Sequence, residues 1–547
     1  MQRLLFGMWS ALLTLCCFVP MAAGQSERIF LVGGNYRIQT TYHNMQDGFF
    51  GAPPASGANE AQVFMDTRLR LYFDLRPNPY ILINYKMEIG DITFGAANPP
   101  ISDADGRRLP NVGRGSGGAP GSDGVNVETK NAYIDIQAPW VPGLSFRGGI
   151  IGWGDQFDWT IMATDFTGFQ LTYQRQALWT QFTYLKLFEG SIRTNADDSN
   201  WYALDTRLGL SSKTALTGSV YFWDDNDNDN PVTGRNAYQI YAGLKLNTVL
   251  FGKGLLEVSG VYNTGQEFLG QNVRSGPADI VRRGLAGSTN HGFMTNVHFD
   301  YPLGKHWVGA TVQYISGERG SRLALDGSGK DIHAFLSLFN SQYSGFGASR
   351  YTEGGGLELI TLGQMNDSTA GLNNVSVSPY FGGGYNGRLL AVARAKFYAT
   401  PVLFVHIAAG LDRAARPNAN GDSDRGIEFS SYLHWDIFPK LWLRVGGAYM
   451  ITGDWWKNNS DVRIQGFPDP LGLRSNEPDG IFQFMLRLAG FSEDDQPRRV
   501  AVNAVDNQRI AVVVRSQMEL DLIEERVFIG TAGKRHGQQT NRFIDDQ

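Results

Sequence analysis

The chain has 547 residues, with 48 Lys or Arg against 53 Asp or Glu, for a net charge of −5 at pH 7. That near balance excludes the basic surface of a nucleic-acid binder and the acidic excess of a solvating tail. A mean hydropathy of −0.24, without any run of about 18 apolar residues, argues against spanning helices.

Met1-Gln2-Arg3 precede an apolar stretch from Leu4 to Val19, closed by Pro20 and by Ala22-Ala23-Gly24. A charged start, an apolar middle and small residues at the end make a secretory leader, with cleavage expected after Gly24. Both cysteines, Cys16 and Cys17, fall inside it. Leu15 is not the small residue that lipidation requires before a cysteine. The mature chain then has no thiol for a disulfide or a metal site.

From there to about residue 491, apolar and polar residues alternate in strand-length segments. Near 34–44, Tyr36, Ile38, Thr40 and Tyr42 oppose Arg37, Gln39, Thr41 and His43. Near 62–75, Met65, Leu69, Leu71 and Phe73 oppose Asp66, Arg68, Arg70 and Asp74. Near 79–91, Ile81, Ile83, Tyr85, Met87 and Ile89 oppose Asn84, Lys86 and Glu88. Further strands are expected near 126–138, 143–152, 166–175 and 177–187, then from Tyr202 to Leu210. The pattern continues near 214–224, 236–247, 254–265, 290–301, 306–316, 387–399 and 401–412. It ends with Ile427 to Ile437, 440–452 and 479–490, for 18 strands in all. A period of two over such lengths is a strand signal. Val375 and Val377, or Gly354 to Gly363, are where a further strand would hide.

The connections alternate short and long. Tight turns at 76–79, 139–142, 175–177, 211–214, 302–306, 399–401 and 438–440 separate long polar loops such as 92–125, 266–289, 317–386 and 453–478. Turns at one end and long loops at the other, with an even strand count, read as an all-β, antiparallel up-and-down transmembrane barrel of the Gram-negative outer membrane. The tryptophans are expected in two interfacial belts. Trp140, Trp179, Trp307, Trp435 and Trp442 stand near the short turns, and Trp153, Trp159, Trp201, Trp223, Trp455 and Trp456 near the long loops.

An 18-stranded barrel is too wide for side chains to fill, so inward residues decide what passes. By strand parity the inward bases are Arg37, Arg68, Arg70, Lys86, Arg147, Arg207, Lys245, Arg394, Lys396, Arg444 and Arg487. The inward acids are Asp66, Asp74, Glu88, Asp205, Glu257, Asp300, Glu428 and Asp436. Arginines in a confined lumen concentrate anions, although same-face pairs such as Asp66 with Arg68 also neutralise one another. The strand near 126–138 breaks the pattern. Glu128, Lys130, Ala132, Ile134 and Ile136 share a parity that is polar at one end and apolar at the other, as a bulge would produce.

Other motifs are weak. Asp225, Asp227 and Asp229 alternate with asparagines like hard-cation ligands, but Asn230 and Asn236 stand where a calcium loop needs Gly and Glu. A solvated acidic loop is the plainer reading. His434 and Asp436 share an inward face and suit a lumen hydrogen bond better than a hydrolase site. No catalytic residues and no cofactor are expected. After Phe491 the alternation stops, and 492–547 reads as a periplasmic tail. The domains expected are thus a leader over 1–24, a barrel over 25–491 and this appendage.

Two stretches resemble the alginate-export family of outer-membrane barrels. One runs through Arg147-Gly148-Gly149, Gly152-Trp153-Gly154-Asp155 and Asp165 to Tyr173. The other is Ala334-Phe335-Leu336-Ser337-Leu338-Phe339 with Tyr343, Gly345 and Gly371-Leu372-Asn373. The resemblance implies an 18-stranded monomer that passes anionic polysaccharide outward, with Arg147 as a pore-lining base. The chain departs from the family at Gly148-Gly149-Ile150, where a basic or amide residue is missing, and in its long tail.

The expected function is passive diffusion of hydrophilic anionic solutes, such as sugar acids, organic acids or anionic oligosaccharides. A dedicated polysaccharide exporter, and an enzyme or adhesin built on loop 317–386, are the alternatives. Expected partners are outer-membrane lipid and lipopolysaccharide, the barrel assembly machinery, the solute itself, and a periplasmic protein through 492–547. Nucleic acid is not expected as a partner.

Overall fold

The computed structural model describes residues 29–43, 62–94, 127–188, 198–226, 237–267, 288–318, 333–336, 357, 359–360, 386–417, 421–457 and 480–491. The stretches expected to form a leader and a tail, and Val375 with Val377, lie outside these residues. Leu357, Leu359 and Ile360 are described and are not in a strand.

The alternating segments form strands β1 (Ile29–His43), β2 (Gln62–Asn78), β3 (Ile81–Thr93), β4 (Val127–Gln137), β5 (Leu144–Gly154) and β6 (Ala163–Arg175). They continue as β7 (Leu178–Phe188), β8 (Ser199–Gly209), β9 (Thr214–Asp225), β10 (Ala237–Leu250), β11 (Gly254–Glu267) and β12 (Ser288–Leu303). The last six are β13 (His306–Ile315), β14 (Arg388–Thr400), β15 (Leu403–Arg413), β16 (Asp424–Phe438), β17 (Leu441–Thr452) and β18 (Gly480–Phe491). Each pairs antiparallel with its sequence neighbours in one 18-stranded sheet. The sheet closes where β1 meets β18, with Tyr36 opposite Gly490 and Tyr42 opposite Phe484. Closure leaves no unpaired edge, the condition for a sheet to cross lipid.

The two faces differ as a bilayer requires. On β16, Ile427, Phe429 and Leu433 are 39–53% exposed, whereas Glu428, Tyr432 and His434 are at most 2% exposed. Apolar residues therefore face outward and polar ones inward, the reverse of a soluble core. On β15 the same alternation puts Ile407 on the outer surface and buries His406. Replacing Ile407 with Arg near mid-strand is expected to destabilise the folded barrel by about 2–4 kcal/mol in lipid, measured by denaturant unfolding from vesicles. An effect near zero would put residue 407 on the lumen side.

The parity break on β4 is a bulge. Lys86 faces Asn131 but Met87 faces Thr129, so Lys130 is the extra residue. The insertion carries Lys130 inward, its Nζ 3.7 Å from Glu88 and 3.0 Å from Glu128.

The expected tryptophan belts need correction. Trp153, Trp201, Trp223 and Trp455 are 0–4% exposed and belong to an apolar cluster inside the barrel. Trp442 is also buried, stacked under Arg444. Trp140 and Trp435 are the exposed ones among the described residues. Height along a strand does not separate inside from outside, but parity does. Trp201 lies two and four residues from Ala203 and Asp205 on the inner face of β8. The outer belts are built from Phe and Tyr instead, with Phe30, Tyr80, Phe251 and Phe438 toward the short turns. Tyr42, Tyr262, Phe293, Tyr449 and Phe484 stand toward the long loops.

Candidate functional site

The inner wall has two kinds of surface. From β14 through β18 and on to β3, the register brings basic side chains together strand by strand. Lys396 faces His406, His434 faces Arg444, and Arg444 faces Arg487. Arg487 faces Gln39, and Arg37 faces Arg68. Cross-strand neighbours stand about 4.5–5.5 Å apart, so these groups form a continuous basic arc.

Most arc members are also held in place. Arg487 Nε donates to Gln39 Oε1 at 2.9 Å, and Arg444 Nε to His434 Nδ1 at 2.8 Å. The Lys396 ammonium stands 3.9 Å from the centre of the Phe404 ring, which in turn stacks on His434 at 4.6 Å. Arg37 bridges to Asp66 at 3.0 Å. Glu88 accepts from Arg70 and lies 4.0 Å from Arg68. Lys86 covers the Tyr72 ring at 4.7 Å. Arg394 donates to Thr311 and pairs with Asp300 at 3.1 Å.

Arg147, on β5, forks onto Asp135 through two bonds of 2.6 and 2.7 Å and covers the Tyr133 ring. Arg207, on β8, is half-buried on the opposite side of the barrel from the arc. The structure therefore brings Arg37, Arg68, Arg70, Lys86, Arg394, Lys396 and Arg444 into one arc and leaves Arg147 and Arg207 outside it. Asp225 is buried at the end of β9, while Asp227 and Asp229 lie outside the described residues.

The second surface is formed by chain segments inserted from the long-loop end. Between β5 and β6, residues 155–162 turn inward. The Asp155 carboxylate accepts from the backbone amides of Phe157, Ile161 and Met162 at 2.7–2.9 Å, closing the turn. Gln156 N donates to Tyr221 Oη, and Phe157, Ile161 and Met162 are fully buried. At the tip, Asp158 reaches β10 and β12. Its Oδ1 lies 3.0 Å from Lys245 Nζ, and Oδ2 accepts from Asn296 at 3.2 Å and from His298 Nε2 at 2.9 Å. Asp158, Glu257 and His298 offer donors within 4.8 Å of one another, but the Lys245 ammonium sits between the two carboxylates, 2.6 Å from Glu257.

From the loop between β13 and β14, two further pieces enter. Tyr241 Oη donates to Leu336 O at 2.9 Å, Asn290 bonds Ala334 O, and Phe335 N donates to Ser316 O. Leu359 N and Ile360 N donate to the Glu428 carboxylate at 3.0 and 2.7 Å, and Arg388 returns a bond to Ile360 O. Behind them Arg388 forks onto Asp412, and Arg425 lies 3.8 Å from the same carboxylate with Trp455 beneath it. An apolar cluster running from Ile151 to Trp455 joins these insertions to the wall.

Parity alone reaches Arg388 and Asp412, which share faces with Arg394 and His406. It does not reach Arg425, which is turned inward by the register shift beside Asp412. Nothing in the local sequence marks Asp158, because its partners lie about 90 and 140 residues away.

No family model matches the chain, and no curated protein matches it. The alginate-export resemblance thus rests on its short motifs. Among solved structures, the chain is similar to Pseudomonas aeruginosa OpdK with vanillate, at 11% identity and a TM-score of 0.45 over 84% of this chain and 98% of that one. It is similar to Acinetobacter baumannii OccAB1, at 12% identity and a TM-score of 0.46 over 84% and 96%. A BenF-like porin from Pseudomonas fluorescens Pf-5 shows 11% identity and a TM-score of 0.45 over 85% and 98%.

Proposed function

We propose that the protein is an outer-membrane channel for passive diffusion of hydrophilic anionic solutes, of the size of sugar acids or organic acids. The observation that carries this reading is the basic arc from Lys396 to Arg37 and Arg68, assembled across strands on the inner wall of a barrel whose outside is apolar. A charged wall in a narrow lumen raises the local counter-ion concentration, and arginine forks match carboxylates. The inserted segments share the lumen with the arc, so a solute that passes them meets the basic wall. Transport by this route involves no chemical step and no cofactor.

The purified barrel in a planar bilayer under a tenfold salt gradient is expected to reverse at a potential of the sign set by chloride. Its magnitude should be an appreciable part of the roughly 59 mV an ideal selector gives. A cation-selective reversal, or no conductance, would overturn the reading.

A further inference from the structure

The contacts of Asp158 look like those of a bound ligand. Its carboxylate is met by an ammonium, an amide and an imidazole from β10 and β12, with the Glu257 carboxylate within 4.8 Å, and each of those three groups is positioned by a different wall neighbour. Lys245 is held by Glu257 from β11 at 2.6 Å. The Asn296 amide is oriented by Gln313 Nε2, which donates to Asn296 Oδ1 at 2.7 Å, leaving Nδ2 to face Asp158. His298 Nδ1 meets Thr311 Oγ1 at 2.8 Å, which directs Nε2 toward the loop. The wall donors therefore have partners that fix them whether or not Asp158 is present.

The loop side is built differently. Asp158 and Trp159 both have left-handed backbones, with φ of 62° and 59°. They are the two central residues of a tight turn between Phe157 and Thr160, in a backbone region that non-glycine residues rarely adopt. The rest of the loop is anchored separately by the Asp155 turn, the Tyr221 bond and buried Phe157. Phe157 O also accepts from Thr160 N and Thr160 Oγ1, so the turn holds its own shape and the Asp158 side chain can leave its partners while the loop stays docked.

We propose that Lys245, Asn296 and His298 form a carboxylate-binding site on the inner wall, with Asp158 as a tethered occupant that a carboxylate solute displaces in transit. The delivery of solute to the site rests on the channel reading above, whereas the site itself does not. A carboxylate taking the place of Asp158 leaves the charge balance with Lys245 and Glu257 unchanged. Displacement therefore exchanges like for like.

The test uses succinate as probe and calorimetry on the refolded full-length barrel in detergent, with heat-modified gel mobility reporting assembly. A short tether presents its group at an effective concentration of about millimolar or more, so removing the competitor sharpens binding of the free ligand. Asp158→Ala is expected to bind succinate at least about tenfold more tightly than the unaltered chain. Adding Lys245→Met to that variant is expected to abolish the gain. Asp158→Asn, nearly isosteric, serves if the alanine variant does not assemble. Equal affinity with and without the Asp158 carboxylate, or a gain that survives Lys245→Met, overturns the proposal. Bilayer recordings on the same preparations separate the two readings. Tight succinate binding by a protein that does not conduct removes the channel and keeps the site. Anion conductance without any sharpened binding keeps the channel and removes the site.

Discussion

Replacing Lys396 with Met and both Arg444 and Arg487 with Gln is expected to lower the chloride-to-potassium permeability ratio at least about tenfold. A unit charge about 8 Å from a passing ion contributes roughly 0.5 kcal/mol at the dielectric of water and roughly 2 kcal/mol at an effective value of 20. Removing three such charges takes away on the order of 1.5 kcal/mol even at the weak end, which is more than a factor of ten. Arg444 and Arg487 stand directly opposite each other on β17 and β18, and Lys396 lies on the same inner wall on β14, with β15 and β16 between. The change therefore removes one stretch of the arc and leaves the outer surface untouched. The comparison variant is Arg147→Gln with Asp135→Asn, which deletes a bidentate pair outside the arc. Because that pair is already neutral, selectivity should hardly move. If both variants shift the reversal potential equally, the arc has no special role and the lumen acts through net charge alone.

Gly292→Val is expected to release residues 334–336 from the lumen without unfolding the barrel. A Cβ at Gly292 would lie 2.3 Å from Phe335 Cα, 2.4 Å from Phe335 N and 2.5 Å from Ala334 O. All three are backbone atoms, so no rotamer change relieves the clash. Docking of the segment rests on burial of Phe335, fully enclosed, which is worth about 1.5–3 kcal/mol. Its hydrogen bonds from Tyr241 and Asn290, and the one it donates to Ser316, add about 1 kcal/mol each. The variant forfeits these together, several kcal/mol in all, whereas valine itself suits a strand. Larger single-channel conductance and new protease cleavage near residue 335 are expected, with unchanged heat-modified mobility. Gly218→Val is the contrasting case, since its nearest neighbour would be Leu244 Cδ2 at an ordinary 3.5 Å. Unchanged conductance in Gly292→Val would mean that the segment does not narrow the path.

Much of the wall was legible in the sequence because a strand in a barrel has only two faces. The parity of Arg37, Arg68, Glu88, Asp205 and Glu428 is enough to send them inward, and all five are buried. The same rule, applied to Trp153, Trp201 and Trp223, would have sent them inward too. Reading them by height along the strand placed them in a lipid belt they do not occupy. The bulge at Lys130 was announced by the change of polarity along β4, since an extra residue is what exchanges a strand's faces.

The sequence by itself determined the 18-strand count, the alternation of turns with loops, and the face on which most charged wall residues stand, because each follows from a local period of two. Only the tertiary structure decided which bases form one arc, since that depends on register between strands and on the closure of β1 against β18. It also decided that residues 155–162, 334–336, Leu357, Leu359 and Ile360 turn into the barrel, and that Asp158 meets Lys245 and His298. Loop entry is governed by packing against a wall far away in sequence, and no local pattern encodes a partner at that separation.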